Sequence, residues 1–457
     1  MDTGRINEKD NVCVSLETGH KIAVCDIEKG ADIIKYGYPI GYATESIMQG
    51  EHVHSHNMKT KLGDILSYEY APYFEELSQE EPFTINAYIR ENGDIGIRND
   101  IWIVPTVGCV NGIAKTLSEK TGAICFSHPY GCSPLGDDMK ITQLILRGLI
   151  RHPNAGGVLV LGLGCENNNI SEMKKILGET NDKRIRFLSV QDCEDEISEG
   201  KRLISELKLI ASKDVRQSVS ASKLKIGLKC GGSDGFSGIT ANAVVGKVTD
   251  KICAMGGVAV LTEVPEMFGA ETVLFDRCIS KEVFAKGVNL INRFKQYFID
   301  HGQPVSENPS PGNKEGGITT LEEKSLGCNQ KGGTAPVVDV LEYGDIVTKA
   351  GLNLLNGPGN DIVSITNLAA AGWHLILFTT GRGTPLGGAV PTIKIASNDN
   401  IATKNSHWID FSAFGFDKAY KADELTELIK KVADGTLTKN EILGNREIAI
   451  FKNGVTL

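Results

Sequence analysis

The stretch IWIVPTVGCVNG (101–112) runs from an apolar strand into a glycine-containing turn. GAICFSHPYGCS (122–133) and GVLVLGLGCENN (157–168) repeat the design. Between the second and third, ITQLILRGLIRHP (141–153) has the apolar spacing of a helix and stops at Pro153. Apolar strands alternating with helices predict an α/β fold with a mostly parallel, doubly wound sheet. RIRFLSV (184–190) adds a strand and EDEISEGKRLISELKLIASK (194–213) a helix. NAYIRENGDIGIRND (86–100) opens this unit as a hairpin, with Asn92-Gly93 at its turn. A first α/β unit over 86–215 follows.

Toward the C-terminus the design returns. LKIGLKCGGSDGFSG (224–238), GVAVLTEVPEMFG (257–269) and HLILFTTGRGTP (374–385) are again strands that deliver polar, Gly-rich turns. They define a second Rossmann-like unit over 222–457, closed by an amphipathic C-terminal helix, KADELTELIKKVADG (421–435). KEVFAKGVNLINRFKQYFID (281–300) is a further helix. The polar stretch 301–334 reads as a long loop, a lid or binding segment. Toward the N-terminus, KIAVC (21–25), DIIKYG (32–37) and PIGYAT (39–44) are short β runs, so 1–72 is a small β-rich domain. Residues 71–86, acidic and with two Pro, read as a linker.

Composition bounds the function. The 457 residues carry 48 Lys+Arg against 57 Asp+Glu, a net charge of −9. No basic block stands out, which argues against nucleic acid as a partner. No apolar run reaches the roughly 18–20 residues of a membrane helix, and the N-terminus has no signal core. Eleven Cys, an odd number scattered over a long chain, suit a reducing, cytoplasmic setting better than a disulfide framework. The 51 Gly exceed the ordinary share of roughly 7 %, and many lie in the strand-end turns.

Ligands of open α/β sheets bind at the carboxyl ends of the strands. Six such ends (TVGCVNG, SHPYGCS, LGCENNN, KCGGSDG, TEVPEMFG and TTGRGTP) are Gly-rich or polar, which predicts a site for a small anion. Arg382 with Gly383 and Thr384 suits a carboxylate. Gly231, Gly232 and Asn111 join them as substrate-binding candidates. His128, Lys229, Asp234, Glu263 and Glu266 are acid–base candidates by loop position, with His128, Lys229 and Asp234 the leading three for proton transfer. GLGCEN (162–167) lacks the third Gly of a dinucleotide fingerprint, which excludes NAD, and no P-loop lysine motif occurs.

His52-Val53-His54-Ser55-His56 gathers three of the nine His within five residues. On a strand, alternate residues share a face, so the imidazoles line one side. This is a common way to hold Fe, Mn or Zn. His52, His54 and His20 form the expected metal set. Cys109, Cys132, Cys165, Cys230 and Cys328 adjoin Gly in loops. Without a C-x2-C spacing an iron–sulfur cluster is set aside, and they read as small buried residues, one or two of them at most metal ligands. Cys13, Cys25, Cys125, Cys193, Cys253 and Cys278 read as structural.

Together these loops resemble the altronate and galactarate dehydratase family, which also holds sulfolactate sulfo-lyase. The matching stretches are GHKIAVCDIEKGADIIKYGYPIGYA (19–43), GEHVHSHN (50–57), PTVGCVNGIA (105–114), RHPNAGGVLVLGLGCENNN (151–169), LKCGGSDGFSGITAN (228–242), LTEVPEMFGAE (261–271), NPSPGNKEGGITTLEEKSLGCNQKGG (308–333), TTGRGTPLGG (379–388) and REIAIFKNGVTL (446–457). The resemblance implies an N-terminal SAF-type domain, here starting short, and dehydration of a sugar acid. D-altronate going to 2-dehydro-3-deoxy-D-gluconate is the leading case, with Fe(II) or Mn(II) as cofactor. It leaves the base unassigned. A relative acting on galactarate or a sulfonated hydroxy acid is the alternative within lyases, and a non-catalytic sugar-acid binding protein is the alternative outside them. A homo-oligomer is expected.

Overall fold

A computed structural model describes residues 3–63, 65–178, 183–415 and 417–454. Residues 1–2, at the start of the small domain, and 455–457, which end the REIAIFKNGVTL stretch, lie outside the described residues, as do 64, 179–182 and 416.

The architecture is mixed α/β, with a small β-rich domain ahead of two parallel sheets. In the small domain, a four-stranded sheet and a three-stranded sheet enclose Val12, Val14, Ile33, Ile40, Val53 and Met58. In the first α/β unit, strands Ile124–Cys125, Asp100–Pro105, Ala155–Gly162 and Ile185–Ser189 lie in that order, every pair parallel. The Asn92-Gly93 hairpin forms, with Thr84–Ile89 against Ile95–Gly96 and Gly93 at φ 84°.

The second sheet is larger than the three expected strands. Its order is Val337–Leu341, Gly351–Leu355, Val258–Leu261, Lys225–Cys230, Leu375–Thr380, Thr392–Ala396 and Phe411–Ser412, all parallel among the described residues. Central side chains such as Ile226, Leu228, Leu377 and Ile393 are fully buried, each stabilising by about 1.5–3 kcal/mol relative to exposure. The two units meet through helices Gly136–Ile150 and Asp361–Ala370. A Cβ on Gly148 would stand 2.0 Å from the Ala370 carbonyl, so this approach requires glycine.

The stretch 301–334 differs most from expectation. It is not a lid. Helix Leu321–Asn329 lies within it with all nine residues buried, Glu322, Glu323 and Lys324 included. Burial of such charges requires partners, and the partners come from elsewhere in the chain. Glu323 accepts from Lys21 at 2.7 Å and from Lys35 at 2.8 Å, both in the small domain. Lys21 Nζ also donates to the Gly317 carbonyl at 2.9 Å and to Thr319 Oγ1 at 2.8 Å. This helix is the dock for the small domain.

Candidate functional site

Docking brings the small domain over the loops of the second sheet. A Cβ on Gly235 would lie 1.8 Å from the Gly19 carbonyl, and one on Gly317 2.6 Å from it, so three backbones meet beside His20. The strand carrying the His segment ends at Val53. His54 then starts a turn in which its N–H donates to Asn57 Oδ1 at 3.0 Å. The imidazoles still converge. His20 Nδ1 and His52 Nε2 are 3.1 Å apart. Ring centroids of His52 lie 5.5 Å from His54 and 5.6 Å from His56. Burial, with the charges of His20, His54 and His56, holds His52 down to about 4, and burial also lowers His54. Both keep neutral rings at neutral pH.

The 311–317 segment joins this cluster to the Gly-rich loops. His54 Nε2 donates to the Lys314 carbonyl at 2.9 Å. Arg382 donates to the Gly312 carbonyl at 3.2 Å and pairs with Glu315 at 3.3 Å. That pair is half or more exposed, so it is weak and its guanidinium is available to another carboxylate. Gly232 lies beside Arg382, with its Cβ position 3.4 Å from Arg382 Cβ. Gly231 N–H and Gly383 N–H are occupied by the Thr379 carbonyl and by Thr380 Oγ1. The hydroxyl of Thr384 accepts from Leu386 N–H at 3.2 Å.

Asp234 lies under this surface with both oxygens engaged. Oδ1 accepts from Ser237 N–H and Oγ and from Ser397 Oγ, and Oδ2 from Asn398, at 2.7–2.9 Å. His128 is in the other α/β unit, with 2 % of its surface exposed. Its Nε2 donates to the Pro105 carbonyl at 2.8 Å and its Nδ1 accepts from Tyr130 N–H at 3.2 Å. Asn111 donates to the His128 carbonyl. His128 and Asn111 follow strands of the first α/β sheet, whereas the imidazole cluster belongs to the small domain.

Lys229 is fully buried, bonded to Glu263, to the Cys230 carbonyl and, at 2.8 Å, to Asp361. Burial opposes its charge, but Glu263 and Asp361 outweigh that and hold it well above the usual lysine value. Next to it lies a network missed in the sequence. Cys230 Sγ and Cys328 Sγ are 3.3 Å apart and stand 2.9 and 3.1 Å from Glu266 Oε2. Lys331 Nζ reaches Cys230 Sγ at 2.9 Å, and Lys324 pairs with Glu266 at 2.9 Å. The hydrogen bond from Cys328 and the ammonium of Lys331 bring the Cys230 thiol down to about 6 despite burial. These three ligand atoms are the ones that crowd closely enough for a single ion among the described residues, and two lysines already supply the positive charge there. Glu263 and Glu266 were acid–base candidates by loop position alone. Lys324, Lys331 and Asp361 gave no sequence signal.

Two imidazole nitrogens on bonds of about 2.1 Å to one ion, at right angles, stand about 3.0 Å apart. The His20–His52 separation of 3.1 Å fits that pair. His54 does not complete a triad, because Lys314 and Ser55 engage its two nitrogens.

A family model described as D-galactarate/altronate dehydratase, C-terminal, matches residues 221–456. The second domain of D-galactarate dehydratase/altronate hydrolase matches 87–212, and the altronate/galactarate dehydratase SAF domain matches 7–61. The chain belongs to the altronate/galactarate dehydratase family. It is 53 % identical to altronate dehydratase of Bacillus subtilis (strain 168), over 99 % of this chain and 94 % of the relative. It is 51 % identical to altronate dehydratase of Escherichia coli (strain K12), over 98 % and 94 %. Galactarate dehydratase (L-threo-forming) of the same strain is 32 % identical over 86 % of this chain and 79 % of its own. The family resemblance read from the loops therefore holds across the chain. No helix among the described residues is long and apolar enough to cross a membrane.

Proposed function

We propose that this hydro-lyase dehydrates D-altronate to 2-dehydro-3-deoxy-D-gluconate. Kinship with two altronate dehydratases over nearly the whole chain supports the substrate. The observation that carries the site is the convergence of the imidazoles and Arg382 on the segment around Gly312 and Lys314.

The chemistry removes the proton α to a carboxylate and expels the C3 hydroxyl. Arg382 exchanges Glu315 for the substrate carboxylate, and Thr384 offers its hydroxyl proton beside it. A neutral imidazole of the His20–His52 pair takes the α-proton. A proton moved across the 3.1 Å bond between the two rings meets the departing hydroxide. Water therefore leaves with no net proton exchange, and the enol tautomerises to the 2-keto acid. Lys229, held protonated, and Asp234, with both oxygens occupied, shape the loops beneath. Those same two nitrogens of His20 and His52 would hold Fe(II) or Mn(II), and an ion there would take the place of the shared proton and supply Lewis-acid polarisation of a substrate oxygen instead.

The purified chain, assayed on altronate, galactarate and sulfolactate for 2-keto acid formation, is expected to turn over altronate with the highest kcat/KM. Preference for galactarate or a sulfonated acid rejects the substrate assignment, and binding without turnover under any metal rejects catalysis. Arg382→Ala is expected to raise KM by about 10- to 100-fold, the worth of a charge-assisted hydrogen bond, with a smaller change in kcat. Steady-state kinetics check it.

A further inference from the structure

The first sheet carries a second constellation that the sugar-acid reading does not use. Three adjacent parallel strands, Ile124–Cys125, Asp100–Pro105 and Ala155–Gly162, each run into a loop with one cysteine. These are Cys132, Cys109 and Cys165, and each follows a Gly. All three are exposed free cysteines, which departs from the expectation of small buried residues.

The loops are stitched into one platform. Gly108 N–H donates to the Tyr130 carbonyl at 2.9 Å, Asn167 N–H to the Cys132 carbonyl at 3.0 Å and Asn168 N–H to the Gly131 carbonyl at 3.2 Å. Asn168 Nδ2 reaches the Thr106 carbonyl at 3.1 Å. Gly131 sits at φ 98°, and a Cβ there would stand 1.9 Å from that carbonyl oxygen. Glu166 ties the third loop to the first, accepting from Thr106 Oγ1 at 2.7 Å and from Gly164 N–H at 2.6 Å.

The thiols influence one another. Cys109 is in hydrogen-bonding reach of the Cys132 thiol, and Cys165 is close enough to act on it electrostatically. Gln191 Nε2 donates to Cys165 Sγ at 3.4 Å, the kind of N–H···S contact that tunes metal-bound sulfur. The helix Asn111–Thr121 starts in this platform with no side-chain cap and no acidic residue in its first turn, so its N-terminal end leaves partial positive charge there. The three sulfurs do not all lie within 4.8 Å of one another. A single ion with bonds of about 2.3 Å spans at most about 4.6 Å between its sulfurs. Sulfurs bound to different irons of one cluster stand farther apart.

We propose that Cys109, Cys132 and Cys165 hold an iron–sulfur cluster of the [4Fe–4S] class, whose fourth iron, without a cysteine, is open to a carboxylate or hydroxyl oxygen. The missing C-x2-C spacing is no obstacle, because three strand ends in register replace one contiguous motif. The proposal does not depend on the assignment of altronate or of the imidazole site.

Anaerobically purified full-length chain is expected to contain about four iron and four acid-labile sulfide, with a paramagnetic signal after one-electron reduction. Cys132→Ser, an exposed substitution, is expected to lose the sulfide and the signal while keeping the circular-dichroism spectrum of the folded chain. Cys25→Ser, exposed in the small domain, keeps both. In unmodified protein, alkylation mapped by mass spectrometry is expected to spare the three cysteines until the cluster is destroyed by oxidation and chelation. Iron without sulfide, sulfide retained in Cys132→Ser, or alkylation of all three thiols in the iron-loaded chain overturns the proposal.

Discussion

His52→Ala is expected to lower kcat/KM for dehydration of altronate by about 10²–10⁴-fold, the usual worth of a positioned proton-transfer group. Its ring is the centre of the cluster, 3.1 Å from a His20 nitrogen and stacked on His54. Removing it breaks the proton path between His20 and His52 or, where an ion is held between the two rings, takes away half of the ligand pair. The side chain is exposed on a two-residue strand, so thermal unfolding is expected to stay within about 0.5 kcal/mol of the parent. His56→Ala is the control. It sits in the exposed turn beyond His54, so its removal is expected to cost less than tenfold. Equal losses in the two variants, or an active His52→Ala, would reject the imidazole site.

The second large effect is on stability. Glu323→Ala leaves the ammonium groups of Lys21 and Lys35 buried without a counter-charge, which costs about 3–5 kcal/mol. Chemical denaturation measures it. Replacing all three by apolar residues of similar size (Lys21→Met, Lys35→Met and Glu323→Leu) is expected to recover most of that loss, because the desolvation penalty disappears with the charges. The pH dependence has a definite sign. Burial alone would raise the Glu323 carboxyl, but Lys21 and Lys35 hold it down to about 2, against an ordinary 4.5. A depressed carboxylate contributes stability that is complete above the unfolded value and lost as pH falls through the folded one. The parent should therefore lose stability from about pH 4.5 toward 2 more steeply than Glu323→Gln. Parallel acid curves for the two would show that the pairing contributes nothing.

Much of this was legible in the sequence, because apolar strands ending in Gly-rich turns advertise both their period and their ends. The strands at 100–105, 155–162, 225–230, 258–261 and 375–380 were placed that way. Val337–Leu341, Gly351–Leu355 and Thr392–Ala396 were missed, being short and interrupted by Asp, Asn or Lys. Helix Leu321–Asn329 was hidden for a deeper reason. LEEKSLGCN has no apolar face of its own, and it is buried only because Lys21 and Lys35, nearly 300 residues away, neutralise Glu323. Nothing in the sequence shows that two backbone groups occupy the ring of His128. The cysteines of the first sheet failed a test built for contiguous motifs, although their loops were the ones that decided the fold.

The clamp on Glu323 also divides the molecule's tolerance to stress. The histidines ride on a small body of short strands, whereas Arg382 follows a strand of the seven-stranded sheet. Mild heat or acid should therefore silence the enzyme by undocking before circular dichroism registers any melting. Inactivation would then be reversible on cooling or neutralisation, a safety catch that spares the larger body from aggregation.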